Sequence, residues 1–352
     1  MLTNKQINEI KEHLEKAQNP LFFFDNDNDG LMSFLLLQRF IGRGKGIAVK
    51  GGNNLNTSYF RRVSELKPDY VFILDVPKAE KEFLDMVDEA NLPVVWIDHH
   101  DVSIGKDVPK GNFDYYNPYH NDKTNEPVSY LSYKITNNKK DIWLAVIGCI
   151  SDFYIPDFYK EFEEKYPDLA KKNPTTAFDV LYDSEIGRIS RILDFSLKDT
   201  TTNVVNMLKF MMKVKEPIDI LQEDSKTKRI LERYNEINTK YQKILSKARR
   251  CVGDKLLFFQ YSGDLSLSAN ISNQLIHEFP KKIIVVVYFN NDVASASLRS
   301  RKDVDIRKIT LEAIKDLPGA VGGGHKNATG ARMNFDDLPK FREKIEELVD
   351  KN

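Results

Sequence analysis

The stretch LFFFDNDNDG at residues 21–30 places an apolar run directly before a carboxylate. The same order returns in YVFILD at residues 70–75 and in VVWID at residues 94–98, with a helix-like segment at 78–90 between them. Short, wholly apolar strands that alternate with helices are typical of a parallel sheet covered on both faces. The carboxyl ends of such strands meet at one edge, where α/β folds bind their ligands. We therefore expect the acids that follow these strands to lie close together.

A second α/β unit is predicted in the last third of the chain. Apolar segments at 255–260 and 282–289 are typical of strands, and the segment at 268–277 between them has a helical pattern. Before this unit, apolar residues recur at alternating steps of four and three, which predicts one long amphipathic helix. The residues of this stripe are Ile230, Tyr234, Ile237, Tyr241, Ile244 and Ala248.

Together these patterns predict an α/β protein in which an N-terminal parallel-sheet domain is joined by a long helix to a smaller C-terminal α/β domain. We place the first domain at residues 1–195, the helical connector at 196–251 and the second domain at 252–352. Two domains are expected for a chain of 352 residues, because single cores tend to divide beyond roughly 250–300 residues.

The composition is that of a folded protein, with 41% hydrophobic and 30% charged residues. Lys and Arg together number 52, as do Asp and Glu, so the net charge is zero. This excludes attraction of nucleic acid by the charge of the whole molecule, but a local basic groove is still possible. The chain begins without an apolar run, and its longest apolar stretch, at 283–289, is far shorter than the ~20 residues of a membrane span. Cys149 and Cys251 form no CxxC motif and are expected to be buried free thiols. We therefore expect a cytoplasmic protein without a membrane partner.

Residues 25–30, DNDNDG, place three carboxylates at alternate positions with no base between them. Such carboxylates repel one another and are stable mainly around a cation. The segment matches the start of a calcium EF-hand loop, but that loop has Glu at its twelfth position, where this chain has Leu36, and it follows a helix rather than a strand. A strand-end site for a hard divalent cation is the favoured interpretation, and an acidic surface turn is the alternative.

Further candidate ligands follow later apolar segments. Asp75 ends one strand, Asp98-His99-His100 ends another, and Asp152 follows an apolar helix-like segment. Adjacent histidines point in different directions in extended backbone, so one can bind a metal while the other faces a substrate. Carboxylates with one or two imidazoles suit Mn²⁺ or Mg²⁺. Two such ions are a standard means of hydrolysing a phosphate ester, and we expect that chemistry here.

In this order the motifs resemble those of the DHH phosphoesterase superfamily, and the DxDxDG form at residues 25–30 resembles its RecJ-like branch. GGGH at 322–325, with Arg299 before it, resembles the glycine-rich motif of the DHH-associated C-terminal domain. The resemblance covers nearly the whole chain. The nanoRNase and inorganic pyrophosphatase branches carry a His four residues before the first ligating Asp. In this chain Phe23 occupies that position, four residues before Asp27, and Asp25 is expected to take over the role of the missing histidine.

The resemblance implies a role for each candidate residue. The implied metal ligands are Asp25, Asp27, Asp29, Asp75, His99 and Asp152. The implied catalytic residues are His100, Asp98 and Asp75. One ion is assigned to Asp25 and Asp27, and the other to Asp29, His99 and Asp152. In this scheme Asp75 bridges the ions, His100 contacts the scissile phosphate and Asp98 orients a histidine.

The glycine-rich motif is the candidate substrate-binding segment. Gly322, Gly323 and Gly324 lack side chains, so their backbone can approach a ligand closely, and consecutive N–H groups can form a nest for an anion. Arg299 and His325 add hydrogen-bond donors for a phosphate. A flexible turn is the alternative. The aromatic residues that could stack on bases are Tyr115, Tyr116, Tyr119 and Tyr261.

The resemblance implies a single-strand-specific exonuclease that hydrolyses the terminal phosphodiester of DNA, RNA or both and releases nucleoside monophosphates. It implies two divalent cations, Mn²⁺ in the first place and Mg²⁺ as the alternative. The implied partners are single-stranded nucleic acid or short oligonucleotides, with replication or repair proteins as further candidates. One alternative is a nanoRNase or small-nucleotide phosphatase that acts on oligoribonucleotides, phosphoadenosine phosphate or cyclic dinucleotides. Another is a non-catalytic replication or repair scaffold, against which the complete set of acids argues.

Overall fold

The computed structural model describes residues 1–50, 54–102, 112–300 and 304–351. The chain forms two compact units, Met1–Tyr234 and Asn235–Asn352. Each unit combines a β-sheet with helices, so the predicted α/β class is confirmed. The long helix expected between the two sheet-forming parts of the sequence is Lys228–Ala248. The domain limits given above stay predictions. No helix in the described part of the chain is both long and apolar enough to cross a membrane.

The first unit is built on a parallel β-sheet with helices around it. Its strands are β1 (Pro20–Asp25), β2 (Lys45–Val49), β3 (Asn54–Leu55), β4 (Tyr70–Leu74), β5 (Lys78–Ala79), β6 (Val94–Ile97) and β7 (Phe113–Tyr116). Its helices are α1 (Asn4–Lys16), α2 (Asn28–Ile41), α3 (Phe60–Leu66), α4 (Lys81–Glu89), α5 (Pro118–Asp122), α6 (Val128–Thr136), α7 (Ile142–Ser151), α8 (Tyr159–Lys165), α9 (Ala177–Asp183), α10 (Glu185–Leu197) and α11 (Thr201–Met211). Five strands form a wholly parallel sheet in the order β2-β1-β4-β6-β7, and β3 pairs with β5 apart from it.

The central strands of this sheet are continuous apolar runs because the sheet is covered on both faces. Every residue of β1 and β6 is buried. Phe24 in β1 lies in register with Leu74 in β4, and Leu74 lies in register with Ile97 in β6. An aspartate follows each of these three residues, so the register brings three carboxylates to the same edge of the sheet.

Helix α2 begins shortly after β1, and its first turn lies against the end of that strand. A Cβ atom at Gly30 would lie 2.5 Å from the carbonyl oxygen and 2.7 Å from the nitrogen of Asp25. Neither distance leaves room for a side chain, so this close approach requires the glycine that ends the DxDxDG motif. Beyond that turn, α2 packs against α6 and α7.

The second unit contains a mixed β-sheet. Its strands are β8 (Leu256–Ser262), β9 (Ile283–Asn290), β10 (Val293–Arg299), β11 (Val321–His325) and β12 (Ala328–Asn334). Its helices, after α12 (Lys228–Ala248), are α13 (Ser268–Glu278), α14 (Ile306–Ile314) and α15 (Leu338–Asp350). The strand order is β11-β12-β10-β9-β8, in which β8 and β9 are parallel and the other pairs are antiparallel. Val285, Leu298 and Phe341 belong to its core.

Several local expectations are corrected. The glycine-rich segment lies in strand β11, which pairs with β12. The helix predicted at 78–90 begins at Lys81, after the short strand β5. On α12, Leu245 is buried in place of Ile244, because a spacing of 3.6 residues per turn moves the buried face along the helix. Cys251 is exposed rather than buried.

Candidate metal centre

Three aspartates at the carboxyl edge of the first sheet form the base of the candidate site. Asp25 ends β1, Asp75 follows β4 and Asp98 follows β6, and their exposed fractions are 5%, 2% and 0%. Asp75 has a φ of 60°, a left-handed conformation that residues other than glycine rarely adopt. Its N–H donates to the carbonyl oxygen of Ile97 at 2.9 Å, which helps to hold this conformation. Backbone strain of this kind clusters at functional sites.

Asp25, Asp27 and Asp75 form a first group, whose carboxylate oxygens lie within 4.8 Å of one another. Asp27 caps α2, where it accepts a hydrogen bond from the N–H of Gly30 at 3.0 Å. Burial and the charge of Asp27 raise the pKa of Asp25 well above its ordinary value. Loss of water around the carboxyl group and the charge of Asp29 raise the pKa of Asp27 to about 6, although the residue as a whole is exposed. Carboxylates crowded in this way favour binding of a proton or a cation.

Asp75, His99 and His100 form a second group, again with ligand atoms within 4.8 Å of one another. His99 Nε2 lies 3.3 Å from Asp75 Oδ1, and His100 Nδ1 lies 3.9 Å from the same oxygen. Asp152, directly after α7, has an oxygen 3.7 Å from His99 Nδ1. Burial raises the pKa of Asp152 to about 7, and the charge of His99 opposes the rise. Asp75 thus belongs to both groups, and Asp152 lies beside the second.

The chemistry of these side chains fits divalent cations. Among the described residues, Asp75 Oδ1 and His99 Nδ1 are buried and make no hydrogen bond. A buried polar atom left in this state destabilises a protein by about 1–3 kcal/mol, so it calls for a ligand or a function. Burial and the charges of neighbouring aspartates also raise the pKa of Asp75 well above its ordinary value, an effect that a bound cation reverses. Carboxylate and imidazole donors together suit Mn²⁺ or Mg²⁺.

His100 is held by a chain of hydrogen bonds that begins at β7. Its Nδ1 lies 2.7 Å from Oδ1 of Asp98, whose Oδ2 accepts a hydrogen bond from the Tyr115 hydroxyl at 3.2 Å. Asn117 donates to the Tyr115 hydroxyl at 2.9 Å and to the carbonyl oxygen of His100 at 3.0 Å. Against the effect of burial, the hydrogen bond and charge of Asp98 raise the pKa of His100 to about 9. Burial would raise the pKa of Asp98, but the contact with His100 holds it below its ordinary value.

The sequence does not predict Asn117 or the contact between Tyr115 and Asp98. Tyr115 is a stacking candidate from its residue type, yet its hydroxyl contacts the acid beside His100. The signal that could have found both residues is their position at the carboxyl end of a strand, since Tyr115 lies in β7 and Asn117 directly follows it. That signal is weak because β7, with the sequence FDYY, lacks a continuous apolar run.

Asp29, the third acid of the DxDxDG motif, is engaged by a helix terminus. It is buried, and its two oxygens accept hydrogen bonds from the N–H groups of Val128 at 2.8 Å and Ser129 at 2.9 Å, at the start of α6. The Ser129 hydroxyl also donates to it. Within the described ranges, its oxygens belong to neither of the two groups defined above. The structure thus gives Asp29 a capping role, and its implied role as a metal ligand stays a prediction.

The candidate substrate-binding side chains of the second unit lie on the two strands that flank β12. Arg299 ends β10 and His325 ends β11, and both are in register with Ala328 on the strand between them. Arg299 Nε donates to Asn273 Oδ1 at 2.6 Å, and its Nη1 donates to the carbonyl oxygen of Leu298 at 2.9 Å. These bonds fix the guanidinium group at the end of its strand.

The three glycines of the motif lie in the extended backbone of β11 rather than in a nest of consecutive N–H groups. Gly324 has a φ of 130°, and a Cβ atom there would lie 2.5 Å from the carbonyl oxygen of Ala328. A Cβ atom at Gly323 would meet no atom within 4 Å in the described part of the chain. The strand therefore needs glycine at Gly324 and has open space at Gly323.

Comparisons with known proteins agree with this architecture. Residues 253–351 match the DHHA1 domain family. None of the curated proteins matches the sequence. Among solved structures, RecJ from Thermus thermophilus in complex with Mn²⁺ is similar over 99% of this chain, with a TM-score of 0.68 and 15% sequence identity. This chain covers 54% of that protein, about half of its length.

Two further solved structures match over most of both chains. Exonuclease RecJ bound to manganese has a TM-score of 0.62 and 16% identity, and the match covers 100% of this chain and 96% of that one. A pGpG-specific phosphodiesterase from Vibrio cholerae has a TM-score of 0.51 and 14% identity, with coverage of 95% and 99%. At these identities the similarity establishes the fold. The fold expected from the resemblance to the DHH superfamily and its RecJ-like branch is thereby confirmed, and the DHHA1 match supports the resemblance over residues 253–351.

Proposed function

We propose that this protein is a divalent-metal-dependent phosphodiesterase, which acts as a single-strand-specific exonuclease on DNA, RNA or both and releases nucleoside monophosphates. The observation that carries the proposal is the cluster at the sheet edge, where the buried atoms Asp75 Oδ1 and His99 Nδ1 make no hydrogen bond among the described residues. The raised pKa values of Asp25 and Asp75 support it, because both carboxyl groups are buried among other acids, an arrangement that favours a bound cation. The fold also supports it, since two RecJ structures of this fold contain manganese.

Two divalent cations, Mn²⁺ or Mg²⁺, would activate a water molecule and neutralise the charge of the phosphate. The proposed ligands of one ion are Asp25, Asp27 and Asp75. The proposed ligands of the other are Asp29, Asp75, His99 and Asp152. Asp75 is the proposed bridging residue because it belongs to both groups of ligand atoms.

His100 is proposed to bind the scissile phosphodiester. Its Nδ1 faces Asp98, so its Nε2 is the atom that would donate to a phosphate oxygen. The contact with Asp98 outweighs burial and raises the pKa of His100 to about 9, which favours the protonated imidazole as a donor to the phosphate. Asp98 acts through His100, by orienting the ring and keeping it protonated. In the second unit, Arg299, Gly322–Gly324 and His325 are proposed to bind another phosphate of the substrate.

A phosphodiesterase of short oligonucleotides or small nucleotides is the second candidate. Similarity to the pGpG-specific phosphodiesterase over 95% of this chain favours it. Both candidates use the same metal centre and the same bond cleavage. They differ in the length of the strand, so the smallest substrate that is hydrolysed efficiently separates them.

The test is a hydrolysis assay with Mn²⁺ and end-labelled single strands of DNA and RNA, from dinucleotides to long oligomers. We expect stepwise release of mononucleotides from one end and no release in EDTA. Asp75→Asn should lower turnover by more than the roughly 10–100-fold that loss of a residue supporting a metal ligand produces. Asp85→Asn, at an exposed carboxylate on α4, is the control and should retain turnover. Turnover that survives Asp75→Asn, or no hydrolysis of any substrate, would contradict the proposal, and the second result would favour a scaffold.

A further inference from the structure

Three nearly parallel aromatic rings begin at the residue after Asp152. Phe153 stacks on Phe178 with ring centroids 4.6 Å apart and planes 16° from parallel, and Phe178 stacks on Tyr182 at 6.3 Å and 11°. The guanidinium group of Arg191 lies 5.7 Å from the centroid of the Tyr182 ring. All three aromatic residues are half-buried, so each keeps accessible surface. We refer to Phe153, Phe178 and Tyr182 as the stacking ladder.

Phe153 occupies a position that suits glycine. Its φ is 59°, in the left-handed region. The Phe153 N–H donates to the carbonyl oxygen of Ile150 at 3.2 Å, and the Tyr154 N–H donates to that of Cys149 at 2.9 Å. This pair of bonds is the Schellman motif that closes a helix, and its left-handed residue is usually glycine because a side chain is strained there. The turn at the end of α7 therefore does not account for a phenylalanine.

Packing explains only in part why Phe153 carries an aromatic ring. A phenylalanine that serves the core is normally fully buried, as Phe162 and Phe195 are in the same unit, whereas Phe153 is half-buried. The ladder also continues beyond Phe153 on α9, where Phe178 and Tyr182 are four residues apart on one helix face. Strained residues cluster at sites of function, and this one directly follows a proposed metal ligand.

We propose that the stacking ladder, with Phe153 nearest to the metal centre in the chain, binds a nucleobase of the substrate by stacking. The proposal rests on the phosphodiesterase function and assigns the base of its substrate a binding site on this chain. Every base has a π face, so stacking on an aromatic ring tolerates any sequence. At the far end of the ladder the guanidinium group of Arg191 lies over the Tyr182 ring, so a cation covers that ring face. Paired bases in a duplex are already stacked, so the ladder selects single strands.

The test compares two single-stranded tetranucleotides with the same backbone, one with ordinary bases and one with abasic sugars. Hydrolysis with Mn²⁺ is measured for the wild type, Phe153→Leu, Phe153→Tyr and Phe40→Leu. Phe153→Leu should raise KM for the base-bearing strand by about tenfold and leave the abasic strand unchanged, because one stacking contact is lost. Phe153→Tyr keeps the ring and should restore the wild-type KM. Phe40 is exposed at the other end of α2, so Phe40→Leu should change neither substrate.

A binding measurement provides a readout without catalysis. A tetranucleotide with hydrolysis-resistant phosphorothioate linkages and a 2-aminopurine base is titrated with the protein in Mg²⁺, and stacking is read from quenching of its fluorescence. Phe153→Leu should weaken both the quenching and the affinity. Thermal melts check that each variant is folded. If Phe153→Leu is not folded, Phe153→Gly, which removes the ring and suits the left-handed backbone, takes its place with the same expected results.

The outcomes separate this proposal from the phosphodiesterase itself. If the wild type hydrolyses both tetranucleotides equally well, or if Phe153→Leu weakens both to the same degree, stacking is overturned and the phosphodiesterase stands. If the wild type hydrolyses neither strand, the phosphodiesterase is contradicted. In that case the quenching titration decides whether Phe153 stacks on a base, and unchanged quenching in the Phe153→Leu variant overturns the proposal.

Discussion

Asp75 combines a left-handed backbone, almost complete burial and a carboxylate oxygen that makes no hydrogen bond within the described residues. Each of these features destabilises the folded chain. Burial and the charges of Asp29, Asp27 and Asp25 also raise its pKa, so the ionised form is unfavourable in the folded state without a cation. Asp75 is therefore a residue at which the stability of the fold and the proposed chemistry oppose each other.

Asp75→Asn is expected to stabilise the metal-free protein at neutral pH. A carboxyl group whose pKa is raised on folding stabilises the fold below its unfolded value, ordinarily 3.8, and loses that contribution as the pH rises through the raised value. Asparagine does not titrate, so in EDTA the variant should gain Tm over the wild type as the pH rises from 5 to 8. A gain of 1 kcal/mol corresponds to roughly 2–4 °C in a domain of this size.

Adding Mn²⁺ should reverse that order, because the wild type then gains binding free energy that the variant lacks. Melting curves at pH 5 and at pH 8, each with EDTA and with Mn²⁺, provide the measurement. Asp85→Asn is the matched control and should follow the wild type in all four conditions. A lower Tm for Asp75→Asn than for the wild type at pH 8 in EDTA would show that the carboxylate stabilises the metal-free fold.

The sequence allows the meeting of Asp25, Asp75 and Asp98 to be predicted, because each directly follows an apolar strand and parallel strands end at one edge. It does not allow the capping of α6 by Asp29 to be predicted. That carboxylate finds its donors about a hundred residues further along the chain, at Val128 and its neighbour. The motif gives the residue types at the site, whereas tertiary contacts decide which atoms remain for a ligand.

At the level of elements, the predictable strands are the central ones. β4, β6 and β1 up to its last residue, Asp25, are apolar because both faces of the sheet are covered. β2 and β7 lie at the two edges of the same sheet, and their mixed burial leaves no continuous apolar run. β11 consists largely of glycine, which has a low strand propensity, and it becomes a strand through pairing with β12. Edge strands depend on their neighbours, and local sequence carries little of that information.

Helix α6 is the element whose stability we expect to depend on Asp29. Asp29→Ala leaves the N–H groups of Val128 and Ser129 without their acceptor, so the free energy of unfolding should fall by about 1–3 kcal/mol. Urea unfolding in EDTA measures this loss apart from any metal. Ser129→Ala removes only a hydroxyl donor and should have a smaller effect. An Asp29→Ala variant as stable as the wild type in EDTA would leave metal binding as the remaining role of this residue.

For the whole molecule, the equal numbers of basic and acidic residues mean that no net charge attracts a polyanion. The proposed metal centre is itself acidic, and its carboxylates repel a phosphodiester until cations are bound. Substrate binding should therefore require both the cations in the first unit and a small number of local basic groups. Arg299 in the second unit is one of the proposed groups, and its guanidinium is already held by Asn273.

Arg299→Gln should weaken binding of a single-stranded oligonucleotide and make it less sensitive to salt. Each phosphate contact to a single strand contributes about −0.7 to the slope of log K against log salt concentration, so the slope should flatten by about 0.7. Titrations of a hydrolysis-resistant phosphorothioate strand at several KCl concentrations, with Mg²⁺ present and the metal ligands intact, measure it. Lys281→Gln removes the same charge from an exposed position of the same unit and should leave the slope unchanged. Equal flattening by both variants would mean that net charge, rather than a local phosphate site at Arg299, controls binding.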